Sequence, residues 1–354
     1  MPSSLVPHPS SLHGAPYSAP WWLPGGHAQT LYAALVAPRP RIAYRRERWD
    51  TPDGDFIDLD WVDDQDQGSR IEDRARAPLV VLFHGLEGSS RSHYSLALMA
   101  AVRERGMRGV AVHFRGCSGE PNRLPRAYHS GDAREIDWIL RRLRARNADD
   151  PLFAVGVSLG GNALLKWLGE TGADAGTVVN KAAAVSAPVD LMAAGDALGQ
   201  GFSLLYARNF LSTLKVKSLA KLARYPGLYD AARARAASTL REFDDLVTAP
   251  LHGFRNTDDY WSRASSKPGL RDVRVPTLVL NARNDPFLPA SALPGAGEVS
   301  AAVTLEQPDG GGHVGFVSGR FPGNLDWLPQ RVLEFFGASA EKFIHEWSSS
   351  PRRP

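Results

Sequence analysis

The sequence contains a single cysteine, Cys117, which excludes a disulfide bond within the chain and any metal site built from several cysteines. Charges of the two signs nearly cancel: 41 Lys and Arg stand against 38 Asp and Glu, so nucleic acid is not expected as a partner. No stretch approaches the roughly 18 consecutive apolar residues of a membrane span. Residues 1–20 lack the basic and apolar regions of a secretory signal. We therefore expect a soluble, cytoplasmic protein, since a lone thiol suits a reducing compartment.

Motifs for metals and nucleotides are also missing. The sequence has no H-E-x-x-H pattern, and its ten histidines are scattered. No G-x-G-x-x-G or Walker pattern stands between a predicted strand and a predicted helix. We expect neither a metal ion nor a cofactor. What the 354 residues do have is 43% hydrophobic content, enough for the core of one large domain that carries an insertion.

Apolar runs alternate with helix-like segments along most of the chain. This order favours parallel βαβ units wound on both faces of one sheet, after an initial hairpin. The predicted strands are Tyr44–Trp49, Phe56–Trp61, Leu79–Phe83, Gly109–Phe114, Leu152–Val157, Ala182–Val185, Val275–Leu280 and Val303–Leu305. The predicted helices are Tyr94–Arg105, Asp132–Arg146, Asn162–Leu168, Leu191–Leu198, Phe202–Leu222, Leu228–Phe243 and Leu325–Phe336.

The alternation of strands and helices stops in one long region. Residues 189–270 contain helix-like segments and no convincing strand, which predicts a helical cap inserted into the α/β core. The core is then formed by residues 21–188 and 271–340. Residues 1–20, rich in Pro and Ser, are expected to be a disordered lead-in, and residues 341–354 a polar tail. A polar linker is also expected between the second and third strands, at residues 63–77.

One pentapeptide places a hydroxyl between a strand and a helix. Gly156-Val157-Ser158-Leu159-Gly160 follows an apolar run and precedes a helical pattern, as in the G-x-S-x-G nucleophile elbow. The glycines are expected at positions too crowded for side chains. Ser158 is then lifted above the sheet, and the N–H of Leu159 at the helix N-terminus points to the space where an oxyanion would form. The alternative is an ordinary Gly-rich turn.

A serine nucleophile needs a base, and the base needs an acid to orient it. In enzymes with this elbow the chain order is Ser, acid, His. The loop after strand Val275–Leu280 has Asp285 as its only carboxylate, and the loop after the next strand has His313 as its only imidazole. Taken singly, Asp285 is an ordinary turn former and His313 an exposed loop residue. Their types, order and positions together predict a Ser158-His313-Asp285 triad at the carboxyl ends of the strands.

The oxyanion needs a second amide donor, from the loop after the third strand. His84-Gly85-Leu86 forms that loop, so we predict the Leu86 N–H as partner of the Leu159 N–H. His84 is expected to shape the turn and not to act as a base. Arg115, His129 and Asp132 are expected to hold the next loop in place, and the aromatic and turn-forming segment Trp21–Thr30, with His27, to anchor the N-terminal arm. Packing over a pocket mouth is the less favoured alternative for this segment.

Seven motifs together resemble the YheT-like branch of the α/β-hydrolases. They are Pro24-Gly25-Gly26-His27-Ala28-Gln29-Thr30, His84-Gly85-Leu86-Glu87-Gly88-Ser89, Phe114-Arg115-Gly116-Cys117-Ser118-Gly119, Tyr128-His129-Ser130-Gly131-Asp132, Gly156-Val157-Ser158-Leu159-Gly160-Gly161-Asn162, Thr248-Ala249-Pro250-Leu251-His252-Gly253-Phe254 and Gly311-Gly312-His313-Val314-Gly315-Phe316. The resemblance covers about residues 20–337. Its relatives include bacterial hydrolases, yeast fatty-acid ethyl ester synthase/esterases and lipid-active animal hydrolases.

The resemblance implies the α/β-hydrolase fold and the same triad of Ser158, Asp285 and His313. In relatives the acid loop often reads Asp-Asp-Pro-Phe, whereas Asn284 precedes Asp285 here, which leaves one candidate acid. The family acts on carboxylic esters, often acylglycerols or medium-chain fatty esters. This implies a small-molecule or lipid acyl ester as the substrate.

Three functions remain open on the sequence alone. The first is a serine esterase or acylglycerol lipase, and the second is acyl transfer to an alcohol through the same acyl-enzyme. The third is binding without catalysis, in which a basic cap helix (Lys215, Lys217, Lys221 and Arg224) makes weak contact with a membrane surface or a partner. The cap is expected to offer an acyl pocket, with candidate residues Phe202, Leu205, Tyr206, Phe210 and Leu214, although packing within the cap explains these side chains equally well.

Overall fold

The structure is a computed structural model that describes residues 16–62 and 77–337. The predicted tail, residues 341–354, lies outside these ranges. So do most of the predicted lead-in, residues 1–20, and most of the predicted linker, residues 63–77.

Eight strands form one sheet: β1 (Tyr44–Asp50), β2 (Phe56–Val62), β3 (Leu79–Phe83), β4 (Arg108–His113), β5 (Leu152–Val157), β6 (Lys181–Val185), β7 (Thr277–Leu280) and β8 (Val303–Glu306). Their order across the sheet is β1-β2-β4-β3-β5-β6-β7-β8. β1 pairs antiparallel with β2, and β2 with β4, while all other neighbours are parallel. The predicted mostly parallel sheet and its eight strands are confirmed. The antiparallel hairpin forms one edge.

Helices connect and cover the strands. Before and within the core they are α1 (Gly26–Leu35), α2 (His93–Glu104), α3 (Ala133–Arg146) and α4 (Leu159–Thr171). After β6 follow α5 (Leu191–Leu198), α6 (Leu204–Arg224), α7 (Ala231–Ala236), α8 (Leu240–Phe243), a π-helical turn (Asp244–Thr248), α9 (Ala249–Leu251) and α10 (Thr257–Ala264). The last helix is α11 (Trp327–Phe335).

The two faces of the sheet bury alternate residues of each strand, as the two-residue period of a β-strand requires. On β3, Leu79, Val81 and Phe83 belong to one apolar cluster, which α3 and α4 complete. Val80 and Leu82 belong to the other cluster, which α2 and α11 complete. All five side chains have no exposed surface. The fully apolar run of β3 is therefore explained by burial on both faces.

The predicted helices differ from the structure, because one of them is divided and α1, α9 and α10 have no predicted counterpart. The predicted helix Leu228–Phe243 is two helices, because Asp230 and Thr239 each accept a hydrogen bond from a backbone N–H three residues later and begin a new helix. Helix α1 was not predicted at all. The described chain between β6 and β7 is helical without a strand, as expected for the cap, and Tyr17, inside the predicted lead-in, is buried.

Candidate active site

The elbow lies at the carboxyl end of β5, near the middle of the sheet. Ser158 stands between β5 and α4 with a φ of 53°, a left-handed value that is uncommon for a residue with a side chain. Its N–H donates to the carbonyl oxygen of Val185. A Cβ atom on Gly156 would lie 2.4 Å from the carbonyl oxygen of Gly160, and one on Gly160 would lie 2.4 Å from that of Phe83. Both glycines are therefore required by close backbone packing.

The structure brings the three predicted triad residues together from separate loops. His313 Nε2 lies 2.9 Å from Ser158 Oγ, and His313 Nδ1 lies 2.9 Å from Asp285 Oδ2. Asp285 is buried and also accepts a hydrogen bond from the N–H of Phe287. Because a carboxylate only accepts, Nδ1 of His313 is the donor, which leaves Nε2 to accept the proton of the Ser158 hydroxyl.

The imidazole of His313 is also held by packing. The ring of Phe287 stacks on it at a centroid distance of 3.9 Å with an interplanar angle of 14°. The backbone of the histidine loop is fixed on two sides, because the Val314 N–H donates to Ser186 Oγ and the Val314 carbonyl oxygen lies 2.9 Å from His93 Nε2. Val314 itself has a φ of 55°. The loop thus has a costly backbone conformation that depends on its neighbours.

The two predicted oxyanion donors both line the cavity in front of Ser158. Within residues 16–62 and 77–337, neither the Leu86 N–H nor the Leu159 N–H donates to another group. The Leu159 N–H is free because it stands in the first turn of α4. The loop of Leu86 contacts the nucleophile directly, since a Cβ atom on Gly85 would lie 3.0 Å from the Cβ of Ser158. Two amides beside the serine are therefore available to an oxyanion.

His84 fixes the direction of the loop that carries Leu86. Its Nδ1 donates to the Gly85 carbonyl oxygen at 2.7 Å, and its Nε2 accepts from the Phe114 N–H at 3.1 Å. Burial lowers the pKa of His84 to about 3, so the ring is neutral and each nitrogen has a single role. The Gly85 N–H donates to the hydroxyl of Tyr94. Since N–H and C=O of a peptide unit point in opposite directions, holding the Gly85 oxygen also directs the Leu86 N–H.

Helix α1 supports the acid and histidine loops, which the sequence did not reveal. Thr30 Oγ1 accepts from the His313 N–H at 2.8 Å, and Gln29 Oε1 accepts from the Gly311 N–H at 2.7 Å. Asn284 joins them, because its side chain donates to Gln29 and accepts from the Gly312 N–H. Gln29 and Thr30, at the end of the predicted aromatic anchor Trp21–Thr30, therefore support the acid and histidine loops. The Pro-Gly-Gly-His-Ala-Gln-Thr motif was the signal for it.

Gly26 explains the close approach of α1. A Cβ atom there would lie 1.9 Å from the carbonyl oxygen of Asn284, so no larger residue fits without moving the acid loop. His27, next to it, points to the cap, and its Nδ1 lies 3.2 Å from the hydroxyl of Tyr206. The start of α1 thus contacts both the catalytic loops and the cap.

A cavity of about 500 Å³ extends from Ser158 into the cap. Its apolar lining includes Leu191, Leu198, Phe210, Leu214, Val247 and Phe287. Two of the five residues expected to form an acyl pocket, Phe210 and Leu214, are in this lining. Phe202 and Leu205 are about half exposed and not part of it, and Tyr206 packs against Phe287. The expectation therefore needs correction for three residues. Phe202 and Leu205 face solvent, and Tyr206, on the same face as Phe210, is buried against Phe287 without lining the cavity.

Four basic side chains of α6 donate hydrogen bonds to other parts of the protein. Lys217 donates to Glu87, and Lys221 donates to the carbonyl oxygens of Leu124 and Arg126. Arg224 donates to the carbonyl oxygen of Asn122, and Lys215 to that of Arg235. All four cations named in the predicted membrane contact thus have partners in the chain, and the bonds of Lys217, Lys221 and Arg224 tie the cap to the core. The surface contact of this helix stays a prediction.

No helix of the described ranges is long and apolar enough to cross a membrane. Among these residues, no group of three or more His, Cys, Asp or Glu side chains could hold a metal ion. Arg115 bridges Asp53 and Glu135, which fits its predicted role of holding a loop.

The α/β hydrolase fold family matches residues 78–319. A candidate esterase of Escherichia coli (strain K12), YheT, is 39% identical over 311 residues, which cover 87% of this chain and 89% of that protein. The chain belongs to the YheT-like family of α/β-hydrolases. The resemblance inferred from the seven motifs is thereby confirmed, and so is the fold class.

Two relatives with lower identity have names that refer to lipid substrates. Phospholipase ABHD3 of Homo sapiens is 30% identical over 322 residues, 90% of this chain and 78% of that one. Medium-chain fatty acid ethyl ester synthase/esterase 2 of Saccharomyces cerevisiae is 27% identical over 399 aligned positions, 93% of this chain and 87% of that one. Among solved structures, the esterase Pf2001 of Pyrococcus furiosus has a TM-score of 0.53 at 15% identity over 84% of this chain and 93% of that one, which shows the shared fold.

Proposed function

We propose that this α/β-hydrolase is a serine hydrolase of carboxylic esters that works through an acyl-enzyme. One arrangement supports the proposal above all: the hydrogen-bonded series Ser158, His313 and Asp285 opens onto a mostly apolar cavity beside two amides without other partners. The triad supplies a nucleophile and a base, and the amides supply an oxyanion site.

The geometry suits the following sequence of steps. Ser158 Oγ attacks the ester carbonyl carbon while His313 Nε2 takes the hydroxyl proton. The carbonyl oxygen becomes an oxyanion facing the N–H groups of Leu86 and Leu159, and loss of one such donor typically costs about 100- to 1,000-fold in rate. The imidazolium gives its proton to the leaving alcohol oxygen, and the acyl-enzyme forms. His313 then takes a proton from water, whose oxygen attacks the acyl carbon, and the acid leaves as Ser158 regains its proton.

Asp285 has a supporting part in both halves of the reaction. Its carboxylate receives the Nδ1–H of His313, which keeps the ring in the tautomer that can accept at Nε2 and stabilises the imidazolium. The side chain is fully buried, so water does not compete for this hydrogen bond.

We propose medium-chain acyl esters as substrates. A cavity of about 500 Å³ is within the range of small-molecule sites, about 300 to 1,000 Å³. Its apolar lining in the cap would bury an acyl chain, and each buried CH₂ contributes about 0.8 kcal/mol of binding. Two relatives have names that refer to fatty ester or phospholipid substrates.

A fluorophosphonate probe tests the nucleophile. The wild-type protein should be labelled, and the Ser158→Ala variant should not. Ser262→Ala, which changes an exposed serine on α10, is the matched control and should be labelled like the wild type. Equal labelling of the Ser158→Ala variant would contradict the proposed nucleophile.

A series of p-nitrophenyl esters of increasing chain length tests the substrate class. We expect kcat/KM to rise from acetyl to medium-chain esters and to fall when the chain exceeds the cavity. A constant or falling kcat/KM from acetyl onward would contradict the acyl pocket while leaving the nucleophile unaffected.

A second candidate function is acyl transfer to an alcohol, favoured by the yeast relative that is named as both synthase and esterase. The same acyl-enzyme would be attacked by an alcohol oxygen instead of water, with His313 taking the proton. Product analysis with added ethanol separates the two. An unchanged yield of fatty acid with no new ester would exclude transfer.

A further inference from the structure

We propose that a surface patch beside the active site docks the protein on anionic lipid membranes. The patch, called here the aromatic patch, consists of Trp21, Trp22, Tyr32, Leu35, Val36 and Phe321. It combines the N-terminal segment and α1 with the loop before α11. This surface is different from the basic helix α6, on which Lys215, Lys217, Lys221 and Arg224 donate to other parts of the chain.

The apolar exposure of this patch is high. Trp21 is 91% exposed, Leu35 and Phe321 are each 73% exposed, and Val36 is 62% exposed. In the described part of the chain, these are four of the seven large hydrophobic side chains that are exposed. Soluble monomeric proteins seldom expose large contiguous apolar patches unless they bind something.

The partly buried centre of the patch joins its two chain segments. The ring of Trp22 lies 5.4 Å from that of Phe321 and 5.2 Å from that of Tyr32, measured between centroids. Trp22 Nε1 donates to the carbonyl oxygen of Gly319, and the Tyr32 hydroxyl donates to that of Pro322. Leu35 follows Tyr32 by three residues and so lies beside it on α1, and Val36 directly follows the end of the helix. The partly buried aromatic rings make a rigid base from which the exposed side chains project.

The charges around the patch select an anionic surface. Residues 16–46 contain no Asp or Glu, and they include Arg39 and Arg41, which are exposed. Arg39 donates to the carbonyl oxygen of Ala34, which places its guanidinium beside the end of α1. Arg320 is exposed next to Phe321, and the same loop before α11 contains one acidic residue, Asp326. Tryptophan and arginine around an apolar surface are typical of proteins that insert shallowly into the lipid interface.

The position of the patch relates docking to the proposed chemistry. α1 has 10 residues and is about 15 Å long. Its first residues contact the acid and histidine loops, and it ends at Leu35, directly before Val36. A membrane in contact with the patch would therefore hold lipid esters within about one helix length of the site. This last step rests on the proposed function, whereas docking itself does not.

Vesicle flotation with the full-length Ser158→Ala protein tests docking without any turnover. Phosphatidylcholine vesicles are compared with vesicles of phosphatidylcholine and phosphatidylglycerol. We expect flotation with the mixed vesicles, weaker flotation with the neutral ones, and release at high salt because the attraction is screened. Trp21→Ser combined with Phe321→Ser should lower the partition coefficient at least about tenfold, since two aromatic rings no longer enter the interface.

Val216→Ser is the matched control, because Val216 is 68% exposed on α6, away from the patch. It should float like the parent protein. Equal flotation of the double variant and this control would overturn the proposal. A second outcome would also overturn it: the parent protein does not float and forms a dimer in size-exclusion chromatography, and the double variant is monomeric. The patch would then bind a second copy of the chain. Thermal unfolding verifies that each variant is folded.

An activity assay then tests the link to the proposed function. The Trp21→Ser/Phe321→Ser change in the active protein should slow hydrolysis of a vesicle-embedded ester and leave that of a soluble p-nitrophenyl ester unchanged. An equal loss on both substrates would overturn the link. Loss of all hydrolysis in the parent protein would instead contradict the proposed function, while the flotation result would stand.

Discussion

Thr30→Val should impair catalysis although Thr30 is not one of the triad residues. Thr30 Oγ1 accepts from the His313 N–H at 2.8 Å and donates to the Gly26 carbonyl oxygen at 2.7 Å. Valine has nearly the same shape but no hydroxyl. Because Thr30 and His313 are both buried, the His313 N–H would have no partner, which typically costs about 1 to 3 kcal/mol.

The histidine loop can relieve this cost only by moving. Val314 and Phe316 already have φ values of 55° and 42°, so the loop is held in a conformation it would leave if released. A displaced imidazole no longer meets Ser158 Oγ. If the whole cost appears in the transition state, kcat/KM should fall about 5- to 150-fold. The loss should lie in kcat, because Thr30 does not line the cavity that binds substrate.

The assay compares kcat and KM for a soluble p-nitrophenyl ester among wild type, Thr30→Val and Thr30→Ser. Serine keeps the Oγ atom, so Thr30→Ser should stay close to wild type. Urea unfolding of the three proteins separates fold stability from catalysis. If Thr30→Val lost stability but kept the wild-type kcat, the hydroxyl would serve the fold alone, and our interpretation of α1 would be refuted.

Three further changes test other parts of the site. Asp285→Asn should lower kcat about 10,000-fold by favouring the wrong tautomer of His313. Asp309→Asn, at an exposed position, is the control and should leave kcat unchanged. A loss below about tenfold in Asp285→Asn would contradict the role of the acid. Gly160→Ala should reduce the free energy of unfolding by about 1 to 3 kcal/mol or more, because the new Cβ would lie 2.4 Å from a backbone oxygen. Gly176→Ala, whose Cβ would point into open space, should leave the free energy of unfolding unchanged. Equal urea midpoints for the two variants would exclude the crowding. Burial raises the pKa of Asp244, which lines the cavity, to about 6. The free energy of unfolding is therefore highest, as far as this group is concerned, below about pH 4, and it falls as the pH rises through about 6. Asp244→Asn should remove this loss, making the variant up to about 3 kcal/mol more stable relative to wild type at pH 7 than at pH 4, and a difference independent of pH would exclude the shift.

The residues that sequence predicted well have local signatures. The eight strands are continuous apolar runs or a simple hairpin, and burial on two faces explains such runs directly. Ser158 stands in a motif whose glycines have a steric reason, and Asp285 and His313 follow their own strands. For such features the pattern and the physical cause occupy the same few residues.

The residues that sequence missed depend on contacts distant in the chain. Gln29 and Thr30 are polar and stand in a glycine-containing segment with no helical pattern, yet they are buried against a loop more than 280 positions away. The orientation of α6 was also unpredictable. Its apolar residues do not mark one face, so the exposed Leu205 could not be distinguished from Phe210 in the cavity lining. Its lysines gave no sign of partners elsewhere in the chain.

The support of His313 by α1 has a consequence for anyone who transplants this catalytic centre. The region common to the fold family begins at residue 78, well after α1. A shortened chain that starts there would keep Ser158, Asp285 and His313 in its sequence. It would leave the Gly311 and His313 amides without their acceptors, so the smallest portable unit of this enzyme includes the helix that precedes its sheet.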